Sequence, residues 1–283
     1  MEISLEADMT DKVIVITGGT GVLCAAIVEM LAVKGGKIGV IDINEEALNK
    51  MQEAYKNRGL KVLGVHASVL DKNSLEKAKD IIHEKLGNVD ILINGAGGNH
   101  SKGTTSSEYL YIKDIDTEDI VTFYDLDKEG IEFVFNLNFL GTLLPSQVFT
   151  KDMLRKEGCC VINISSMNAF TPLTKIPAYS AAKSAVSNLT QWMAVHFSKV
   201  GIRVNAIAPG FFLTAQNHKL LINEDGSFTE RAEKIISNTP MERFGKTEEL
   251  LGSIQFLINE KASGFITGVV LPIDGGFSAY SGV

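Results

Sequence analysis

Tyr179 and Lys183 stand four residues apart in the string PAYSAAKSAV. In a helix that spacing puts both side chains on one face. A free tyrosine titrates near pH 10 and is a weak acid–base catalyst at neutrality. An ammonium beside it favours the phenolate and lowers that pKa. Such a pair could hand a proton to an oxygen, or take one back. Tyr-x-x-x-Lys also arises by chance, so its neighbours matter. Ser166 lies 13 residues earlier, just past the apolar run CVINIS. Its hydroxyl could polarise a carbonyl by donating a hydrogen bond; the plainer role for Ser165-Ser166 is to cap a turn.

A second constellation sits near the N-terminus. Thr17-Gly18-Gly19-Thr20-Gly21 falls between the apolar run KVIVIT and a helical stretch. Glycines there would let backbone approach a phosphate closely, with the free N–H groups of a helix start behind them. A tight turn would use the same glycines. Asp42 closes the next apolar run, KIGVID, 24 residues after Gly18. An acid at that point can accept ribose hydroxyls and would repel a 2′-phosphate. No arginine follows it, which favours NAD over NADP; Asp42 could also cap the following helix.

The elements needed to place these groups are legible as an alternation. Apolar runs at 12–17, 37–42, 60–65, 89–94, 160–165, 202–207 and 268–273 read as buried strands. Helical spacing is read over 22–34 and over 45–58. A further helix runs from a cap at Asp71 to Leu86, stopped by Gly87. Strands alternating with helices predict βαβ crossovers and a parallel sheet covered on both faces. The fold class expected is α/β, one doubly wound Rossmann-type sheet in a single domain over 1–283. A polar, irregular segment at about 98–128 breaks the rhythm, at the sheet edge where such folds bind ligands. Its Tyr109, Tyr111, Phe123 and Tyr124 are read as packing residues.

Bulk properties narrow the function classes. The chain has 283 residues, 45% hydrophobic and 22% charged, with a net charge of -7. That acidity argues against nucleic acid as partner. No apolar run approaches the roughly 18 residues that would span a bilayer, and the acidic start MEISLEADMTDK lacks a signal-peptide core. A cytoplasmic location without membrane contact is expected. The three cysteines, Cys24, Cys159 and Cys160, have neither disulfide nor zinc spacing and read as buried small residues, and no metal is expected.

Taken together, the glycine loop after Thr17, Asn94-Gly95-Ala96-Gly97, Asn138, Ser166, Tyr179, Lys183 and Pro209-Gly210 resemble the short-chain dehydrogenase/reductase family over essentially the whole chain. The resemblance implies that Tyr179 exchanges the proton, Lys183 tunes it and holds the nicotinamide ribose, Ser166 steadies the carbonyl and Asn138 orders a relay water. It implies a cofactor site that includes Gly18, Gly19, Thr20, Gly21, Val22, Leu23, Asp42, Ser68, Asn94, Ala96, Gly97, Pro209, Gly210, Phe212 and Thr214. Two departures stand out: Val22 and Cys24 replace the usual last two loop glycines, and Ser68 replaces an acid after the third strand. Within the family, strings such as LINGAGGNH, INISSMNAFTPLTKIPAYSAAK and APGFFLT are similar to bacterial D-mannonate oxidoreductases, also called fructuronate reductases. That narrower likeness implies exchange between D-fructuronate and D-mannonate with NAD(H). A sugar-acid carboxylate and hydroxyls would then need partners, and Asn99, His100, Lys102, Asn168, Lys175 and Gln216 are the candidates, a charge-assisted bond being the strongest. Other readings are a related sugar-acid or polyol dehydrogenase, such as gluconate 5-dehydrogenase, or a non-catalytic dinucleotide-binding protein. The family likeness also implies a substrate lid over about 211–240 and a homotetramer or homodimer.

Overall fold

The computed structural model describes residues 7–214 and 217–282. Among these, seven strands form one sheet: β1 (Val13–Thr17), β2 (Lys37–Asp42), β3 (Val62–His66), β4 (Ile91–Asn94), β5 (Cys160–Ile164), β6 (Arg203–Pro209) and β7 (Val270–Ile273). Every pairing is parallel, in the order β3-β2-β1-β4-β5-β6-β7. The order reverses between β1 and β4, and ligands bind outside the strand ends at such a switch point.

Among the described residues, ten helices connect and cover the sheet: α1 (Val22–Val33), α2 (Glu45–Lys56), α3 (Lys72–Lys85), α4 (Lys128–Phe135), α5 (Gly141–Phe149), α6 (Pro177–His196), α7 (His218–Leu221), α8 (Glu230–Ser237), α9 (Glu248–Ile258) and α10 (Glu260–Ser263). Successive strand residues face opposite ways. Ile14, Ile16, Ile38 and Val40 therefore pack with Ile27 and Leu31 of α1 and Ile254 of α9. Val13, Val15, Leu92 and Val161 pack with Ile82 of α3, Phe149 of α5 and Met193 of α6 on the other face. Capping follows the sequence signals: Asp71 accepts from the Asn73 and Ser74 amides at 2.9 and 3.2 Å, and Gly87 takes the left-handed φ of 107°. Pro177 opens α6 at the position where its missing N–H costs nothing. Strand ends differ from the sequence reading by one or two residues, and β6 runs on to Pro209 because Pro209 pairs with Ile273 of β7.

The segment 98–128 is ordered by short 3₁₀ turns at Ser101–Gly103, Ile112–Asp114 and Phe123–Asp125. It is tied to the body through the Thr105 amide, which donates to the Lys175 carbonyl at 2.9 Å. The expectation that its aromatics pack inside is wrong. Tyr109, Tyr111, Phe123 and Tyr124 are 55–71% exposed, because the segment holds its shape by polar caps such as Asp114 and Asp125. The segment after β6 carries α7 and α8 around a small core of its own, Leu221, Ala232, Ile235 and Phe244. An ion pair between Glu108 and Lys234 joins it to the 98–128 segment. Among the described residues no helix is long and apolar enough to cross a membrane.

Candidate active site

A cleft of about 700 Å³ opens at the carboxyl ends of β1, β2, β4, β5 and β6. Its position follows from the switch point, and its floor follows from the glycines. Gly18 adopts φ +63°, and a Cβ there would lie 2.7 Å from the Ala96 Cα. The β1 turn and the β4 exit thus touch backbone to backbone. Thr17, fully buried, adds to this by accepting from the Gly95 and Ala96 amides at 3.1 and 3.3 Å. Thr20, Gly21, Val22 and Leu23 line the cleft as the sequence indicates. Gly19 does not. A Cβ there would meet Val40 at 2.6 Å, so its role is to let the turn sit down on β2. Cys24, at the last family glycine position, is accommodated by Gly95, where a Cβ would come within 2.2 Å of its Sγ.

Asp42 sits at one end of the cleft. Its Oδ2 accepts from the Thr20 hydroxyl at 2.6 Å and the Thr20 amide at 3.2 Å, and its Oδ1 from the Asn44 amide at 3.1 Å. The side chain that caps α2 is Asn44, not Asp42. Ser68 is a correction. Ala67 and Val69 line the cleft there, whereas the Ser68 hydroxyl accepts from the Leu70 amide at 3.2 Å. Asn94 is a second correction. It is 1% exposed and faces the α5 and α6 side, donating to Ser146 and Asn163, which in turn reaches Thr190. It braces β4 against β5 rather than lining the cleft.

At the other end lie Ser166, Tyr179 and Lys183. Ser166 also caps the turn Met167–Ala169, accepting from the Asn168 amide at 3.3 Å. Lys183 is 4% exposed; its Nζ donates to the Ile164 carbonyl at 2.8 Å and stands 5.6 Å from the centre of the Tyr179 ring. Burial brings the Lys183 pKa down to about 8. Burial pushes the Tyr179 phenol up, and its hydrogen bond with Ser166 only partly opposes that. The net shift of Tyr179 in the protein alone is therefore upward, opposite to the lowering expected from Lys183. The low dielectric that strengthens the pair also penalises the phenolate.

Asn138 is fully buried in a π turn, Asn136–Leu140, between α4 and α5. Its amide donates to the Val134 carbonyl at 2.8 Å, the bond an α-helical backbone would make four residues on. That substitution gives the turn its extra residue. The same amide donates to the Gly98 carbonyl at 2.7 Å, and its Oδ1 accepts from the Gly98 amide at 3.3 Å. Ala96, Gly97, Pro209, Gly210, Phe212 and Thr214 all line the cleft. The Thr214 turn is fixed by Asn217, whose Oδ1 accepts from the Thr214 amide and whose amide donates to the Phe212 carbonyl, both at 2.8 Å. Leu137 and Ile43 are lining residues that the site reading missed, and Asn217, in the segment after Thr214, lines the cleft as well.

The substrate candidates fare differently. None of Asn99, His100, Asn168 and Lys175 is among the cleft-lining residues as described. Asn99 is exposed and donates to the Thr104 hydroxyl at 3.0 Å. His100 accepts from the Lys102 amide and leans on Phe133, ring centres 5.1 Å apart. Asn168 is buried beneath Ser166. Lys102 is held by Asp127 and Glu129 at 3.7 and 3.9 Å. Gln216 lies outside the described residues. Lys175, half-buried, has the left-handed φ of 70°.

The short chain dehydrogenase family model matches residues 12–225. The fold superposes with a TM-score of 0.94 on a Haemophilus influenza structure provisionally named D-mannonate oxidoreductase and solved with bound NAD; it is 55% identical and 98% of each chain is covered. An uncharacterized oxidoreductase of Haemophilus influenzae is 55% identical over 100% of this chain and 99% of its own. The uncharacterized oxidoreductase UxuB of Bacillus subtilis is 50% identical over 99% and 100%. A parallel sheet in this order, a glycine turn facing an acid, and Ser166, Tyr179 and Lys183 at one cleft end agree with that match along most of the chain: it belongs to the short-chain dehydrogenase family.

Proposed function

We propose that this chain is an NAD(H)-dependent oxidoreductase that interconverts D-fructuronate and D-mannonate. The observation that carries the reading is the convergence of Ser166, Tyr179 and Lys183 at one end of a cleft whose far end presents Asp42. The full-length likeness to a protein provisionally named for that reaction, with NAD in its structure, supports the choice of substrate and cofactor. The cleft fits a dinucleotide: glycine backbone lines its floor, where side chains would collide, and an acceptor for ribose hydroxyls closes one end. NAD when bound supplies the hydride chemistry. In the reducing direction the Ser166 hydroxyl donates to the ketone oxygen, and Tyr179 gives that oxygen its proton. Lys183 stabilises the phenolate left behind. Asn138 fixes the Gly98 backbone, which lines the cleft.

The substrate carboxylate needs a cation. Lys102 is already neutralised by two acids, whereas Lys175 has no acid within 4 Å among the described residues. Lys175 also sits between Ser166 and Tyr179 in a strained backbone conformation, of the kind found at functional sites. A cytoplasmic setting suits three buried free thiols. Exposed Trp192, Val195 and Phe265 offer apolar surface for a homo-oligomer.

The test is a substrate screen with purified protein, NADH or NADPH, and D-fructuronate, 5-ketogluconate or tagaturonate. Turnover of fructuronate well above the other two with NADH supports the reading. Preference for 5-ketogluconate moves the assignment to a gluconate-type dehydrogenase.

A further inference from the structure

Asp42 is held more tightly than an acceptor for ribose hydroxyls needs to be. Its Oδ2 takes two donors from one residue, the Thr20 hydroxyl at 2.6 Å and the Thr20 amide at 3.2 Å. Its Oδ1 takes the Asn44 amide at 3.1 Å. Its own carbonyl accepts from the Ala67 amide at 3.1 Å. The carboxylate is therefore gripped at both oxygens and cannot turn about its side-chain bonds without breaking a charge-assisted hydrogen bond. Three of its roughly four acceptor sites are used by the protein, which leaves one for a ribose hydroxyl.

We propose that Thr20 is a positioning residue for cofactor choice: its hydroxyl locks the Asp42 carboxylate so that it cannot swing away from a 2′-phosphate. This rests on the reading of the cleft as a dinucleotide site. A partly exposed aspartate free to rotate could point its charge into water and admit a phosphorylated ribose. A locked one keeps the charge where the phosphate would sit. No compensating cation stands nearby, since Ile43 and Asn44 complete this end and Lys183, at the Tyr179 end, is the cation among the described lining residues. Thr20 also belongs to the turn anchored by the Gly18 amide on the Ile41 carbonyl at 2.8 Å, so the lock has a rigid mount.

The experiment measures dissociation constants for NADH and NADPH by fluorescence titration, without substrate. The proteins are wild type, Thr20→Val, Thr20→Ser, Asp42→Ser and the Thr20→Val/Asp42→Ser double variant. Wild type is expected to favour NADH. Thr20→Val is expected to cut that preference by about fivefold to tenfold, the scale of one hydrogen bond to a partly exposed charge. Thr20→Ser keeps the hydroxyl and is expected to keep the preference. In the Asp42→Ser background Thr20→Val is expected to change nothing further. If Thr20→Val weakens both cofactors by the same factor, or shifts the ratio equally without Asp42, the lock is refuted. A wild type that binds NADPH as well as NADH refutes the NAD reading itself, and one that binds neither refutes the dinucleotide site.

Discussion

Gly97→Ala is the substitution whose consequence is best defined by the geometry. A Cβ at Gly97 would lie 2.6 Å from the Asn138 Oδ1 and 3.1 Å from the Lys183 Nζ. Ordinary contact needs close to another ångström from the first of these. Asn138 cannot yield it cheaply, because its amide is committed to the Val134 and Gly98 carbonyls and its Oδ1 to the Gly98 amide. Lys183 is likewise held on the Ile164 carbonyl. Overpacking of this kind costs about 1–3 kcal/mol. A shift of about 1 Å at a catalytic group can cost roughly 10²-fold in rate. We expect a melting temperature lowered by a few degrees, about 2–4 °C per kcal/mol for a chain of this size class. We also expect kcat to fall by about one to two orders of magnitude. Calorimetry and steady-state kinetics measure the two. The cycle with Asn138→Ala is decisive: once the amide is gone, Gly97→Ala should cost much less stability than it does in the wild type. A single variant with wild-type melting and wild-type kcat would refute the pinned arrangement around Asn138.

Lys183 keeps its proton below its pKa of about 8 and loses it above. Tyr179 needs that positive charge when it gives up its own proton. The kcat/KM for NADH reports groups of the free enzyme and is expected to fall as pH rises through about 8; a profile still flat near pH 9.5 would contradict the assignment. Burial raises the thiols of Cys24 and Cys160 to about 12 and of Cys159 to about 11. At pH 8 the thiolate fraction is then about 10⁻³ or less, so Ellman's reagent should titrate no cysteine in the native protein and all 3 in guanidinium. Rapid release of one equivalent from native protein would contradict the packing around them.

The strands and the Ser166, Tyr179 and Lys183 motif were legible because each leaves a local mark. Seven apolar runs mark the strands of the sheet, and Tyr179, Lys183 and Ser166 sit at fixed offsets on one helix and one strand end. What spacing does not carry is the direction of a side chain at a strand exit. Gly19, Ser68 and Asn94 belong to motifs that border the cleft, yet Gly19 packs on Val40, Ser68 caps its own turn and Asn94 faces α5. The substrate candidates were obscured by long-range tethers. Lys102 looks free in the sequence and is met by Asp127 at the far end of the same segment and by Glu129 in α4. The Thr20–Asp42 lock joins two separate motifs, and each could be read alone without suggesting the bond between them.

The whole account depends on one proton passing through one phenol oxygen. Tyr179→Phe removes that oxygen and little else, so stopped-flow mixing of the variant with NADH and D-fructuronate tests it most directly. Unchanged NADH binding with turnover reduced at least about 10³-fold is the expected result, on the scale of general acid catalysis. A variant that oxidises NADH at the wild-type rate would contradict it.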